Sequence, residues 1–152
     1  MANNKMGLIT KKVLILFCTV GLLSCTGQGI FSKNDAVNFM VAYFEKVKQN
    51  DFSLVESFYS ERFYEATSRE RWEEMFYAIH SVLGELISIE LETWSVRAVA
   101  TTAGSGRYFT LVYNNEYTNG NAREVIILFI PRGSDEPRII AHNVTSDLFL
   151  GL

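Results

Sequence analysis

The chain predicts an α+β domain in which three N-terminal helices pack on a curved, antiparallel, four-stranded sheet. Apolar residues recur at helical spacing through the first half of the chain, up to Leu83. From Leu86 the pattern changes to β-branched and aromatic residues in alternation. Turn-forming pairs such as Asn119-Gly120 separate the later segments. Helices followed by hairpin-linked strands are the order of an α+β fold with its helices gathered on one face of the sheet.

The first segment is not part of that domain. Lys11 and Lys12 precede an apolar stretch, Val13 to Leu23, interrupted by Thr19 and Gly21, and Leu22-Leu23-Ser24-Cys25 closes it. A basic flank, a short apolar run and a small residue before a cysteine resemble a bacterial lipoprotein signal. The run is about half of the roughly 20 residues that a spanning helix needs. A plain secretory signal would place a small residue three before the cut, where this chain has Leu22, and bulky Phe17 makes Cys18 a poorer lipid acceptor. The resemblance implies cleavage between Ser24 and Cys25 and a diacylglycerol thioether on Cys25. Residues 1–24 are then a signal peptide, 25–33 a lipidated tether and 34–152 a single domain. Thr26 after the cysteine resembles the default for the outer membrane, facing the periplasm. In a single-membrane host the same signal means the outer face of the cell membrane.

Removing residues 1–24 takes away Lys5, Lys11 and Lys12 and no acid, so the 14 basic residues become 11 against 17 acidic ones, a net of −6. An acidic surface argues against nucleic acid and against tight electrostatic binding to anionic head groups. Membrane attachment comes from the lipid instead. Of the 2 cysteines, Cys18 leaves with the signal and Cys25 carries the lipid. The domain therefore has no disulfide, thiolate metal site or cysteine nucleophile, and packing must hold it together.

The first helix is expected from about Asn34 to Gln49, with Val37, Met40, Val41, Phe44 and Val47 as its apolar stripe, ended by Asn50-Asp51. Ser53 reads as the N-cap of a second, shorter helix carrying Leu54, Val55, Phe58 and Tyr59. Thr67 and Glu70 have capping-box spacing for a third helix lined by Trp72, Met75, Phe76, Ile79 and Leu83, and Gly84 closes it. Leu86 to Ala100 reads as one long strand with a bend or bulge near Thr93 to Ser95. Arg107 to Thr118 follows, with Phe109, Leu111, Tyr113 and Tyr117 on one face. Asn119-Gly120 signals a hairpin into Glu124 to Ile130, and Arg138 to Thr145 is the last strand.

Several local features are similar to an uncharacterised family of exported bacterial proteins within the cone-shaped nuclear-transport-factor-2-like superfamily, which includes ketosteroid isomerase and polyketide cyclases. They are the aromatic first helix, Ser68-Arg69-Glu70-Arg71-Trp72, Leu83-Gly84, Gly106-Arg107-Tyr108-Phe109-Thr110-Leu111-Val112-Tyr113 and the hairpin into Glu124-Val125-Ile126. The resemblance covers about residues 34–146 and carries no catalytic residue. Such chains often end on a Trp-x-Val/Ile strand, where this one has Pro137-Arg138-Ile139-Ile140.

In enzymes of that superfamily a buried carboxylate or histidine acts as base inside the cone, and a tyrosine or second acid stabilises an oxyanion. His142 shares a face with Ile140 and Val144 on simple alternation, so it is the better candidate for facing the cone. Its plain alternative is a strand histidine bonded to backbone. His80 borders the apolar stripe of the third helix. Tyr108 and Tyr113 are the weak oxyanion candidates, with Tyr43, Tyr59 and Tyr64 as further partners. Glu90, Glu92 and Glu116 lie on strands where one could turn inward, although Glu116 alternates away from the aromatics and reads as solvated. Glu73 and Glu74 read as the wet side of their helix. No acid is plainly forced into the core.

Other chemistries have less support. No close-spaced ligand pair suggests a metal, and no cofactor motif is present. Thr102-Ala103-Gly104-Ser105-Gly106 lacks the Gly-Lys-Ser/Thr of a phosphate loop and reads as a hairpin turn. Arg62, Arg69 and Arg71 sit among aromatics, but five glutamates outnumber them between Phe58 and Tyr77. The expectation is a lipid-anchored envelope domain that binds a small apolar ligand or an envelope protein, possible as a homodimer. The alternative is an isomerase, dehydratase or cyclase with His142 as base and Tyr108 or Tyr113 as oxyanion donor.

Overall fold

The computed structural model describes residues 31–101 and 104–151. The signal segment, the cleavage pair Ser24 and Cys25, residues 26–30, Thr102, Ala103 and Leu152 lie outside the described residues. Helices α1 (Lys33–Val47), α2 (Phe52–Val55), α3 (Glu61–Ala66) and α4 (Arg69–Leu83) come first, with a 3-10 turn at Glu56–Phe58. Strands β1 (Leu86–Ser88), β2 (Leu91–Thr101), β3 (Gly104–Tyr117), β4 (Gly120–Pro131) and β5 (Arg138–Thr145) follow, and a second 3-10 turn covers Asp147–Gly151. Among the described residues no helix is long and apolar enough to cross a membrane.

Helix α1 opens with a capping box. The Asp35 N–H donates to Ser32 Oγ at 3.4 Å, and the Ser32 N–H donates to the Asp35 carboxylate at 2.7 Å, so two free amides of the first turn are satisfied reciprocally. Its buried stripe is Ala36, Met40, Tyr43, Phe44 and Val47. The stripe is thus rotated toward Tyr43 compared with the expected one, and Val41 is exposed. Asn50 takes a left-handed φ of 49°, a conformation asparagine tolerates better than most residues.

The segment between α1 and α4 departs most from expectation. Asp51, rather than Ser53, caps α2, and Tyr59 is extended instead of helical. The extension lets the Ser60 N–H donate to the Ile139 carbonyl at 2.9 Å, which ties this segment to the start of β5. Ser60 then caps the additional short helix α3. The Thr67 N–H bonds to the Phe63 carbonyl at the end of α3, so α4 is capped one residue later, where Ser68 Oγ accepts from the Arg71 N–H at 3.2 Å. Gly84, at φ 81°, closes α4 as expected.

Every strand pair is antiparallel, with β1 and β2 sharing one edge of β3 and β4 and β5 on its other side. The sheet has five strands, not four, because the expected strand from Leu86 to Ala100 breaks at Ile89-Glu90. A register shift between Leu91 and Thr93 brings both Leu91 and Trp94 opposite inward residues of β3, as a bulge does. The inner face carries Phe109, Leu111, Tyr113, Asn115 and Tyr117 from β3, and Ala122, Glu124, Ile126, Leu128 and Ile130 from β4, all buried. Helices cover this face: Phe44 meets Tyr113 edge-on at 5.0 Å between ring centroids. Each fully buried large apolar side chain there contributes about 1.5–3 kcal/mol.

Candidate functional site

Regular alternation on β3 and β4 and one irregularity on β5 place the polar groups of the sheet's interior. On β4, Glu124 falls in the series Ala122, Ile126, Leu128, Ile130 and must point inward with them. Between β4 and β5 the ladder passes from Ile127 opposite Ala141 to Leu128 opposite Ile139, which leaves Ile140 unpaired. That bulge turns both Ile139 and His142 inward, three residues apart. His142 therefore faces the interior, as expected, but it shares that face with Ile139 and not with Ile140.

The result is a chain of hydrogen bonds through the core. Glu124 Oε1 accepts from the Tyr117 hydroxyl at 2.6 Å and from Asn115 Nδ2 at 2.8 Å. Glu124 Oε2 lies 2.8 Å from His142 Nε2. On the other side of the imidazole, Nδ1 lies 2.9 Å from the Tyr59 hydroxyl, which lies 2.7 Å from the Tyr43 hydroxyl. Trp72 packs edge-on against Tyr59 at 5.5 Å between ring centroids, and its indole N–H is buried without a partner. Five elements hold this chain: α1 supplies Tyr43, the loop before α3 supplies Tyr59, β3 supplies Asn115 and Tyr117, β4 supplies Glu124 and β5 supplies His142.

Burial pushes the Glu124 carboxyl upward, but the bonds from His142, Tyr117 and Asn115 together outweigh it and hold the pKa below the ordinary 4.5. The carboxylate is therefore ionised and has three donors, the condition under which a buried charge is tolerated. Burial raises Tyr43 and Tyr59 well above 10, so both remain phenols and can pass a donor along the chain. Neutral His142 donates from Nε2 to Glu124 and accepts at Nδ1 from Tyr59. As imidazolium it donates at both nitrogens. In either state both ring nitrogens are occupied.

His80 stands close by on α4. Its Nδ1 lies 2.8 Å from the Phe76 carbonyl and so carries the proton, while Nε2 is buried without a partner. Burial holds its pKa below 6.5. His80, His142, Glu124, Trp72 and Tyr117 border a common cavity of about 10 Å³, the room of a single water molecule.

The sequence-derived oxyanion candidates lie elsewhere. Tyr108 is on the outer face of β3, its ring 4.9 Å from Phe129 and its hydroxyl 3.4 Å from Arg62 Nη1. It is therefore not a partner for His142. Tyr113 points inward opposite Glu124, but its hydroxyl is buried without a partner and burial pushes it up to about 12. The tyrosines that do meet the His142 network are Tyr43, Tyr59 and Tyr117. Tyr64 donates instead to the Glu56 carbonyl. Glu90, Glu92 and Glu116 are exposed. The acid that does enter the core, Glu124, was visible in the alternation of β4, and Asn115 in that of β3.

A second and larger space lies at the other end of the sheet. It has a volume of about 460 Å³ and is bounded by β2, β3 and the turn after β4, with Arg107 and Arg132 in its wall. Ile130, which also lines it, is six residues along β4 from Glu124, roughly 20 Å at strand rise. The chemistry of the core and the open volume are thus separate. Among the described residues no group of three histidine, cysteine or acidic side chains is placed to hold a metal ion. No protein-family model matches the chain, and no curated protein or solved structure is found to be similar to it.

Proposed function

We propose that this chain is a lipid-anchored envelope domain with a cone-like fold, whose work is binding rather than turnover. One observation supports this above the others: both ring nitrogens of His142 are bonded, and the cavity beside it has about 10 Å³. A general base needs a free lone pair within reach of a substrate proton, and a substrate needs volumes of several hundred Å³. The polar chain in the core then acts as a structural clamp between helices and sheet. The lipid on Cys25, cut from Ser24, holds the domain at the membrane. The partner is a small amphiphile or an envelope protein, and a second copy pairing along β2 is compatible with both. Trp94 and Val96 on that edge strand are 40% and 49% exposed.

The test is performed on the full chain recovered from membranes. An intact mass carrying diacylglycerol on Cys25, with native mass spectrometry showing a retained ligand or partner, supports the reading. A free Cys25 thiol removes the anchor. A turnover abolished by His142→Ala, with the fold retained, removes the non-catalytic role and favours the isomerase-type alternative.

A further inference from the structure

The recess at the far end of the sheet has a definite chemical character. Ala98 opposes Arg107, Ala100 opposes Ser105, and Arg107 opposes Ile130. Because Arg107 is two residues before inward-facing Phe109, all of these lie on the inner face. Ile130 is the last core residue on that face, and Ala98 and Ala100 stand exposed beyond it. The volume exists because β2 and β3 place small residues there. Its 460 Å³ falls within the ordinary range for small-molecule sites.

The floor is apolar and the wall is cationic. Arg69, Arg71, Arg123 and Arg138 each meet a glutamate within 4.0 Å. Among the described residues Arg62, Arg97, Arg107 and Arg132 meet none, and of these only Arg107 and Arg132 line the recess. Arg107 Nη1 donates to the Phe31 carbonyl at 2.7 Å, which fixes the guanidinium at the recess and leaves its other N–H groups available. Asp135 also lines the rim but forms no ion pair with either arginine. Two guanidinium groups without ion-pair partners beside an alkyl-lined hollow are complementary to a small anion carrying a hydrocarbon chain.

We infer that this recess binds a carboxylate-headed amphiphile of the fatty-acid class. The chain lies on Ala98, Ala100 and Ile130, and the carboxylate sits between Arg107 and Arg132. The inference rests on the binding role proposed above but not on the lipid at Cys25.

The test uses the full chain in nanodiscs, exposed separately to diazirine-tagged lauric acid and to its uncharged analogue, diazirine-tagged dodecanol. Photolabelled peptides are then mapped by mass spectrometry. The expected result is labelling concentrated on peptides containing Ala98–Arg107 and Ile130–Asp135, with about a tenfold preference for the acid, as charge-assisted bonds give. Arg132→Gln, which removes no side-chain bond among the described residues, is expected to erase most of that preference. Ala98→Trp is expected to abolish labelling in a protein whose circular dichroism is unchanged. Equal labelling by acid and alcohol, labelling spread over the outer face, or labelling that survives Ala98→Trp would overturn the assignment. The intact mass of the same sample reports on Cys25 separately. A non-acylated chain that still labels at the recess removes the anchor and keeps the site, whereas an acylated chain without recess labelling does the reverse.

Discussion

Glu124 and His142 meet at 2.8 Å across adjacent strands, with side chains 3% and 4% exposed. They are diagonal neighbours: Glu124 opposes Val144, and His142 opposes Ile126. Diagonal pairs on antiparallel strands are within reach of long side chains. The unpaired Ile140 supplies the extra residue that lets His142 join Ile139 on the inner face. Without that bulge, inward Ile139 would put His142 on the outer face, and Glu124 would lose one of its three donors.

Removing either member of this pair is therefore expected to be expensive. Glu124→Ala and His142→Ala should each lower stability by about 3–5 kcal/mol, because each strands the other buried group. The double substitution should cost less than the sum, with a coupling of about 1–3 kcal/mol in urea unfolding. Strictly additive losses would show that the two groups do not support each other.

The same carboxylate governs stability in acid. The folded pKa of Glu124 lies below 4.5, so the unfolded chain binds a proton first as pH falls. Its contribution is complete above about pH 4.5 and is lost as pH drops through the depressed folded value. In Glu124→Gln, urea midpoints between pH 5 and pH 3 should fall less steeply than in the parent. Parallel curves would assign the acid limb to other groups.

His80 opens a separate window. Burial holds it neutral, below 6.5, so unfolding takes up a proton as soon as pH falls under that value. Its share of stability is whole above about pH 6.5 and declines below it, before Glu124 begins to protonate. His80→Gln should flatten the stability curve just below about pH 6.5 while leaving the acid limb below about pH 4.5 in place. A histidine that retained its solution behaviour would make the two proteins superimpose, and so would refute its burial.

The regular parts of this fold were legible because they follow one period at a time. The stripe on α4, the Gly84 stop and the alternation of β3 each need nothing beyond their own neighbours. The segment from Asp51 to Thr67 was not, because its conformation is set by a remote partner: Tyr59 is extended so that Ser60 can bond to Ile139, which is 79 residues away. The split of the first long strand at Ile89-Glu90 is a similar case, since both pieces must follow one continuous β3. At the core site Glu124 follows plain alternation with Ala122 and Ile126, whereas His142 joins inward-facing Ile139 only because of the bulge at Ile140. Alternation alone puts Glu124 on the inner face, but the three donors that make a buried carboxylate tolerable come from β3 and β5 and are set by tertiary packing. Tyr59 was named as a possible partner, but the pairing through Nδ1 depends on tertiary packing that no spacing encodes.

Gly84 joins the end of α4 to the β3–β4 hairpin, and the joint leaves no room for a side chain. The Glu85 N–H donates to Thr118 Oγ1 at 2.7 Å, and the Asn119 N–H donates to the Leu83 carbonyl at 3.0 Å. A Cβ on Gly84 would overlap Thr118 Oγ1, and its φ of 81° is also left-handed. Gly133 has nearly the same φ, 80°, with nothing near its missing Cβ. The two positions therefore separate backbone strain from steric overlap. Gly133→Ala should cost about 1 kcal/mol from the left-handed backbone alone. Gly84→Ala should cost that and a further 1–3 kcal/mol, roughly, for overpacking. Thermal unfolding of the two variants side by side measures the difference, and equal losses would mean that Thr118 moves aside freely and that the helix-to-hairpin joint is not tight.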